Sequence, residues 1–139
     1  MFDSAKDGAA EQVNSSDDIV ELQLPADGAY LSVLRTATAG LAARLDFTLD
    51  EIEDLRIAVD EACALLLVDS PPEAELTCRF SLSPDALLIT VSAPSRTGKL
   101  PRRHTFAWTV LTELAGEVDA TITDGKVSIN LLKRRSGHS

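Results

Sequence analysis

A helix with both ends marked in the sequence constrains the fold more than any other feature. Thr48 and Glu51 have the spacing of a capping box, in which each side chain accepts a hydrogen bond from the other residue's backbone amide. Pro71-Pro72 ends the helix, because proline has no amide hydrogen and its ring clashes with the preceding turn. The stretch from Ala62 to Val68 is apolar all round. We therefore expect this half of the helix to be central to the fold.

Strands and two more helices are predicted around that helix. Alternating apolar residues predict five strands, at 19–24, 76–82, 87–91, 118–123 and 126–133. Asp27 is suited to cap a first helix that reaches about Asp46, and a short third helix starts at about His104. Asp124-Gly125 is a strong signal for a two-residue hairpin turn. This order of elements predicts an α/β two-layer sandwich, with a mixed, mainly antiparallel sheet and its helices on one face.

The chain is long enough for one sizeable core. It has 139 residues, which is typical of a single domain. Residues 1–18 are polar and acidic, with five carboxylates against one lysine. Such a segment buries too little apolar surface to offset the entropy lost on ordering. We expect 1–18 to be a disordered acidic tail and 19–135 to be the folded domain.

Charge and hydropathy exclude several classes of function. A net charge of −9 opposes nucleic-acid binding, which depends on neutralising phosphates. No apolar run approaches the roughly 20 residues that cross a bilayer, and the N-terminus has no basic flank followed by an apolar stretch. We therefore expect no membrane contact and a cytoplasmic location. Cys63 and Cys78 lie in apolar patterns, so we expect buried, reduced thiols rather than a redox switch.

The segment Asp54-Leu-Arg-Ile-Ala-Val-Asp-Glu61-Ala-Cys-Ala-Leu65 resembles the first nucleotide-site helix of anti-sigma-factor serine kinases. These kinases are a bacterial branch of the GHKL (Bergerat) ATPase family. The resemblance extends over about 19–133 and includes Leu24-Pro25-Ala26 and Leu31-x-x-Leu34-Arg35. It implies a GHKL ATPase-like sandwich and a divergent anti-sigma factor of the actinobacterial type.

The same resemblance implies that the nucleotide site is degenerate. In the family this helix carries a glutamate that activates the attacking hydroxyl and, four residues on, an asparagine that holds Mg²⁺. Glu61 occupies the first position and Leu65, which cannot ligate a metal, the second. Ser92-Ala93-Pro94 replaces the start of the family's Asp-x-Gly-x-Gly adenine turn, and 104–108 lacks the glycines of the phosphate lid. We expect Glu61 to be vestigial, no metal site, and no cofactor, with ATP and Mg²⁺ doubtful.

Partner recognition is expected on the first helix. In related anti-sigma factors an arginine at the position of Arg35 contacts the sigma factor near the dimer interface. Leu31 and Leu34 flank it, and we expect these three residues to bind the partner. The alternative for Arg35 is an ordinary surface arginine. The apolar stripe to which the leucines belong is either core or partly a dimer seam; it comprises Leu31, Leu34, Thr38, Leu41 and Leu45.

Two further features are the basic loop and the aromatic residues that follow it. The basic loop, residues 96–103, has four cationic side chains, at Arg96, Lys99, Arg102 and Arg103. It is either a solvated loop, a phosphate-binding segment or a docking site for an acidic partner surface. Phe106 and Trp108 follow it in the third helix, and from their helical spacing we expect both to belong to the core.

Three functions compete at this stage. The first is an anti-sigma factor that sequesters an alternative, stress- or sporulation-type sigma factor and is released by a STAS-domain anti-anti-sigma antagonist. The second is an active ATP-dependent serine kinase that phosphorylates that antagonist. The third is a dimerising module with an unrelated partner. The resemblance favours the first, as a homodimer.

Overall fold

A computed structural model describes residues 17–136 of the chain. Five strands and three helices account for most of these residues. The strands are β1 (Asp18–Pro25), β2 (Glu75–Ser83), β3 (Ala86–Pro94), β4 (Glu117–Thr123) and β5 (Lys126–Arg134). The helices are α1 (Leu31–Arg44), α2 (Leu49–Val68) and α3 (Phe106–Ala115). Most of the segment predicted to be disordered, 1–18, lies outside the described residues, and Asp18 is the first residue of β1.

The five strands form one sheet in the order β1-β2-β3-β5-β4. All four pairings among the described strands are antiparallel. One row of paired residues crosses the whole sheet on its inner face and consists of Leu22, Cys78, Val91, Ile129 and Ala120. All of that row except Leu22 is buried. The three helices cover this face, which confirms the predicted two-layer sandwich with its mainly antiparallel sheet.

Local signals set the bounds of these elements much as expected. The turn between β4 and β5 places Asp124 and Gly125 at φ values of 53° and 78°, the left-handed pair that a tight hairpin requires. Gly116, also at positive φ, ends α3. Asp27 caps a short 3₁₀ turn, Gly28–Tyr30, and α1 starts only after it. The first helix is therefore shorter at both ends than the predicted span.

The N-terminal end of α2 is closed by its own capping box. The Glu51 amide donates to Thr48 Oγ1 at 3.1 Å, and the Thr48 amide donates to Glu51 Oε1 at 2.8 Å. Glu51 Oε2 accepts a further bond from the Ser136 amide at 2.9 Å. Burial alone would raise the pKa of the Glu51 carboxyl, but the bonds from Ser136 and Thr48 outweigh it and lower that pKa to about 2. The carboxylate ties the start of α2 to the end of the described chain.

The middle of α2 is the centre of the core. Leu55, Ala58, Val59 and Ala62 are fully buried, and the helix packs on α1, α3, β3 and β5. Burying Leu55 or Val59 contributes about 1.5–3 kcal/mol each through the hydrophobic effect, and each alanine methyl contributes roughly 0.8 kcal/mol.

One expectation about burial held in part and another was wrong. The C-terminal half of α2 contributes Ala62, Cys63 and Leu66 to the core, but Ala64 is exposed and Val68 is 79% exposed. Phe106 is 84% exposed and does not belong to the core, whereas Trp108 is buried. Two residues apart on a helix means about 200° around its axis, so Phe106 and Trp108 cannot both face the sheet.

Both cysteines are free, fully buried thiols, as predicted. Burial raises the pKa of the Cys63 thiol to about 12, with a smaller contribution from the charge of Asp60. Burial also raises the pKa of Cys78. Neither thiol has the exposure or the low pKa that a redox switch needs. Within residues 17–136 no helix is long and apolar enough to cross a membrane.

Candidate functional site

A cleft of about 310 Å³ lies where α2 ends, β3 ends, β5 begins and the basic loop crosses over them. Its floor is the edge of the core, formed by the buried residues Leu66, Ala93 and Val127. Its remaining walls come from the end of α2 and the loop after β3: Leu65, Val68, Asp69, Pro94, Ser95, Thr97, Lys99, Leu100, Pro101 and Arg102. The lining is predominantly aliphatic, with few polar groups.

The structure brings some of the predicted site residues into this cleft and leaves others out. Leu65 is in its wall, facing Ala93 and Pro94, which stand where the adenine turn was expected. Glu61 is half-buried one turn earlier on α2 and does not line the cleft. Residues 104–108 do not line it either, since Arg102 is the last lining residue before α3. Two of the three predicted departures from the nucleotide site therefore share one cavity.

Asp69, immediately after α2, organises the loop that roofs the cleft. Its Oδ2 accepts hydrogen bonds from the Ser95 hydroxyl and from Thr97 Oγ1, the latter at 2.8 Å. Its backbone carbonyl accepts from the Arg96 amide at 2.8 Å. Within the loop, the Gly98 amide donates to Ser95 Oγ at 2.8 Å. One carboxylate thus fixes the backbone from 95 to 98.

The role of Asp69 was missed from the sequence. A carboxylate at the C-terminal end of a helix meets the negative end of the helix dipole, so it is disfavoured there unless another contact holds it. That conflict, Asp69 directly before Ser70-Pro71, was the available signal. The bonds from Ser95 and Thr97 supply the contact and lower the pKa of the Asp69 carboxyl. The side chain therefore stays ionised, with its Oδ2 held by the loop.

The four cationic side chains of the basic loop fall into three groups. Arg103 is used within the chain: its Nη2 donates to Asp119 Oδ1 at 3.0 Å, and its guanidinium lies 5.1 Å from the centre of the Trp108 ring. Lys99 and Arg102 instead line the cleft and are exposed. Arg96 is exposed but does not line it. The cleft therefore has one lysine and one arginine side chain at its edge.

Arg35, on α1, forms an ion pair with α2. Its Nη1 donates to Asp60 Oδ2 at 2.9 Å, and the two side chains are 37% and 32% exposed. Leu31 is half-buried at the edge of the core. Leu34 is fully buried in the chain's own core, as is Thr38, whose hydroxyl donates to the Leu34 carbonyl at 2.7 Å. Arg35 and Leu31 are thus at the surface of α1, and Leu34 packs beneath them.

Proteins of similar sequence carry the name RsbW. The anti-sigma-F factor RsbW of Mycobacterium tuberculosis is 35% identical over 107 residues, which are 77% of this chain and 63% of that protein. The serine-protein kinase RsbW of Bacillus subtilis is 37% identical over 78 residues, 54% of this chain and 49% of the relative. The corresponding protein of Bacillus velezensis is 34% identical over 83 residues, 58% and 52% of the two chains. This chain is similar in sequence to RsbW proteins.

The fold of this chain agrees with that similarity. A crystal structure of the RsbU and RsbW domains of a Mycobacterium tuberculosis protein matches 88% of this chain and 34% of that one, with a TM-score of 0.67 at 14% identity. No family model matches the chain. The chain spans between about half and just under two thirds of the length of the curated proteins that it matches.

Proposed function

We propose that this chain is an anti-sigma factor that binds and sequesters an alternative, stress- or sporulation-type sigma factor without kinase turnover. A STAS-domain anti-anti-sigma antagonist would release the sigma factor by competing for the chain. The proposal includes a homodimer and a cytoplasmic location. Its support is the similarity to RsbW proteins, one of which is named an anti-sigma-F factor.

The observation that carries the non-catalytic part is the chemistry of the cleft. Phosphoryl transfer requires a metal that bridges the phosphates and donors that neutralise their charge. Leu65 contributes an isobutyl group to the wall where a ligating amide is required. Asp69 is the only carboxylate among the lining residues, and its Oδ2 is occupied by Ser95 and Thr97. The lining side chains include no amide, and their one carboxylate already holds the loop through Oδ2.

Arg35 supports the partner-binding part. A guanidinium has five N–H donors, and the bond to Asp60 uses one of its two Nη nitrogens. The remaining donors are on a side chain that is 37% exposed. Arg35 is therefore able to keep its intramolecular bond while it pairs with a carboxylate on the sigma factor. Its planar fork suits such a contact better than a lysine ammonium does.

The test replaces Arg35 and measures affinity for each sigma factor of the native host. Arg35→Ala should weaken binding by about 2–5 kcal/mol if the pair is desolvated in the complex. Arg35→Lys should recover part of that loss. Arg44→Ala is the matched control, because Arg44 is exposed on the same helix and half a turn around its axis after nine residues. Unchanged affinity in a folded Arg35→Ala protein would contradict the assignment.

Asp60→Asn separates recognition from a purely internal ion pair. If Arg35 binds the sigma factor, removing the charge of Asp60 leaves the guanidinium free for its partner, and affinity should hold or rise. If Arg35 serves only to join α1 and α2, Arg35→Ala and Asp60→Asn should lower stability equally and leave affinity unaffected. Thermal melts alongside calorimetry distinguish the two cases.

An active serine kinase is the second candidate. Two observations favour it: the Bacillus relatives are named serine-protein kinases, and Glu61 is retained at the position of the catalytic glutamate. Calorimetry with ATP and Mg²⁺ tests it, followed by an assay for phosphate transfer to a STAS-domain substrate. Micromolar, Mg²⁺-dependent affinity and transfer that is lost in Glu61→Ala would replace our proposal with this one.

A further inference from the structure

The cleft at the end of α2 has a chemical character of its own, independent of any phosphate. Two of the large apolar residues most exposed in the described chain lie on it, Val68 at 79% and Leu100 at 44%. Together with Leu65, Pro94 and Pro101 they form apolar walls above a buried floor. Apolar surface gathered in one concavity, rather than scattered singly, is typical of a site that binds a ligand.

The charge of the cleft is small and positive. Lys99 and Arg102 add two positive charges at its edge, and Asp69 adds one negative charge, so the lining residues sum to +1. The Asp69 carboxylate is directed to the loop through Ser95 and Thr97. The carbonyls at the end of α2 are also engaged, since those of Leu66 and Asp69 accept from Ser70 and Arg96. Within a chain of net charge −9, this is a local site for one negative charge.

The size of the cleft limits the ligand further. Its volume of about 310 Å³ is near the lower end of the range for small-molecule sites. At roughly 30 Å³ for a water-sized group, it holds about ten such groups. A polyphosphate with its metal needs several charged contacts, whereas one aliphatic chain with a single anionic head matches both the walls and the charge.

We propose that this cleft binds a small amphipathic monoanion, an aliphatic carboxylate of about ten carbons, with its chain between Leu65 and Leu100 and its head at Lys99 and Arg102. The apolar chain covers the exposed side chains of Val68 and Leu100. The carboxylate accepts charge-assisted hydrogen bonds from the two cationic groups. This inference does not depend on sigma-factor binding, so either can fail without the other.

Sodium decanoate is the probe, titrated into the full chain below its micelle concentration and followed by calorimetry. We expect saturable binding of one molecule per chain. Decan-1-ol, which has the same chain without the charge, should bind at least about fivefold more weakly. Arg102→Gln and Lys99→Gln should each weaken decanoate binding about two- to fivefold, the range for partly exposed ion pairs. Leu65→Asn should weaken it as well, because it places an amide in the apolar wall.

Arg96→Gln is the matched control, since Arg96 is cationic and exposed in the same loop but does not line the cleft. It should leave the affinity within twofold. Equal losses in Arg96→Gln and Arg102→Gln would overturn the site and indicate general attraction to the loop. Absence of saturable binding, equal affinity for decan-1-ol, or displacement of decanoate by Mg²⁺-ATP would overturn it too. In flotation with anionic phospholipid vesicles, the chain should show no binding. Vesicle binding that is lost in Arg102→Gln would show that the cleft docks on a lipid surface and would refute our proposal of a free carboxylate ligand.

Discussion

The two ends of α2 are built in opposite ways. At the N-terminal end Glu51 is buried, and each of its carboxylate oxygens accepts a hydrogen bond from a backbone amide, one from Thr48 and one from Ser136. At the C-terminal end Asp69 is half-buried and reaches across to a loop, and Val68 beside it is largely exposed. The first carboxylate closes a helix end against the protein's own backbone, whereas the second holds a loop above a cavity.

Under our proposal, one helix serves stability at one end and ligand binding at the other. A carboxylate whose partners are backbone amides of its own fold lowers the energy of the folded state. A carboxylate that positions a loop adds little to global stability, but it fixes the shape of a site. The two ends lie about 30 Å apart, because a helix rises 1.5 Å per residue and α2 has 20 residues.

The largest expected effect compares leucines from the two halves of α2. Leu55 is fully buried, so Leu55→Ala should lower the free energy of unfolding by about 2–5 kcal/mol. Leu65 is half-buried on the cleft, so Leu65→Ala leaves no closed cavity and should cost roughly 1 kcal/mol. Urea denaturation measures both. Equal losses would show that the two halves are packed alike and would break the comparison.

The next largest effect concerns Glu51, at the N-terminal end of α2. Glu51→Ala removes both the capping box and the acceptor for Ser136, so it should destabilise the protein by about 1–2 kcal/mol. Glu53→Ala is the control, because Glu53 is exposed and forms only a surface pair with Arg56 at 3.1 Å. That change should stay within about 0.5 kcal/mol. A ranking in the reverse order would contradict the role given to Glu51.

Acid titration sharpens the same point. The pKa of Glu51 is lowered from 4.5 to about 2 in the folded chain. Its ionised form therefore contributes stability that is fully present above pH 4.5 and is lost as the pH falls through about 2. Glu51→Gln lacks this titration, so its melting temperature should fall less steeply with acid across that interval. Parallel curves for the two proteins would be incompatible with a depressed pKa at this site.

The smallest expected effect on global stability comes from Asp69, at the C-terminal end of α2, because its hydrogen bonds order only the neighbouring loop. Asp69→Asn should alter the free energy of unfolding by less than about 1 kcal/mol. The amides of Thr97 and Gly98 should nevertheless exchange with solvent faster, because the carboxylate that orders their loop is weakened as an acceptor. Asp119→Asn, at an exposed pair with Arg103, is the control. Unchanged exchange in Asp69→Asn would leave the loop without its proposed anchor.

Prediction from sequence succeeded where a feature is local or periodic. The capping box at Thr48, the turn at Asp124-Gly125 and the alternation in β2 and β3 each depend on neighbours in the chain, and each is confirmed. Placing Phe106 in the core failed, because apolar character was counted without its angle around the helix.

The site was only partly predictable for a related reason. The departures at Leu65 and Ser92-Ala93-Pro94 were readable from the sequence, and the structure places Leu65, Ala93 and Pro94 around one cleft. The bonds of Asp69 join positions about 26–28 residues apart, and no local pattern specifies such contacts. The pairing of Arg35 with Asp60 is hidden for the same reason, while the partner contacts of Arg35, Leu31 and Leu34 stay predictions.

The position of the only tryptophan has a practical consequence. Trp108 is 6% exposed, and the Arg103 guanidinium lies over its ring. Arg102, the residue before Arg103 in the chain, lines the cleft. A displacement of the loop end therefore moves a cation relative to the indole. The chain carries its own fluorophore there, so a ligand that displaces this loop end should change the emission intensity or wavelength without a label. Stopped-flow mixing then yields the rates at which ligands enter and leave.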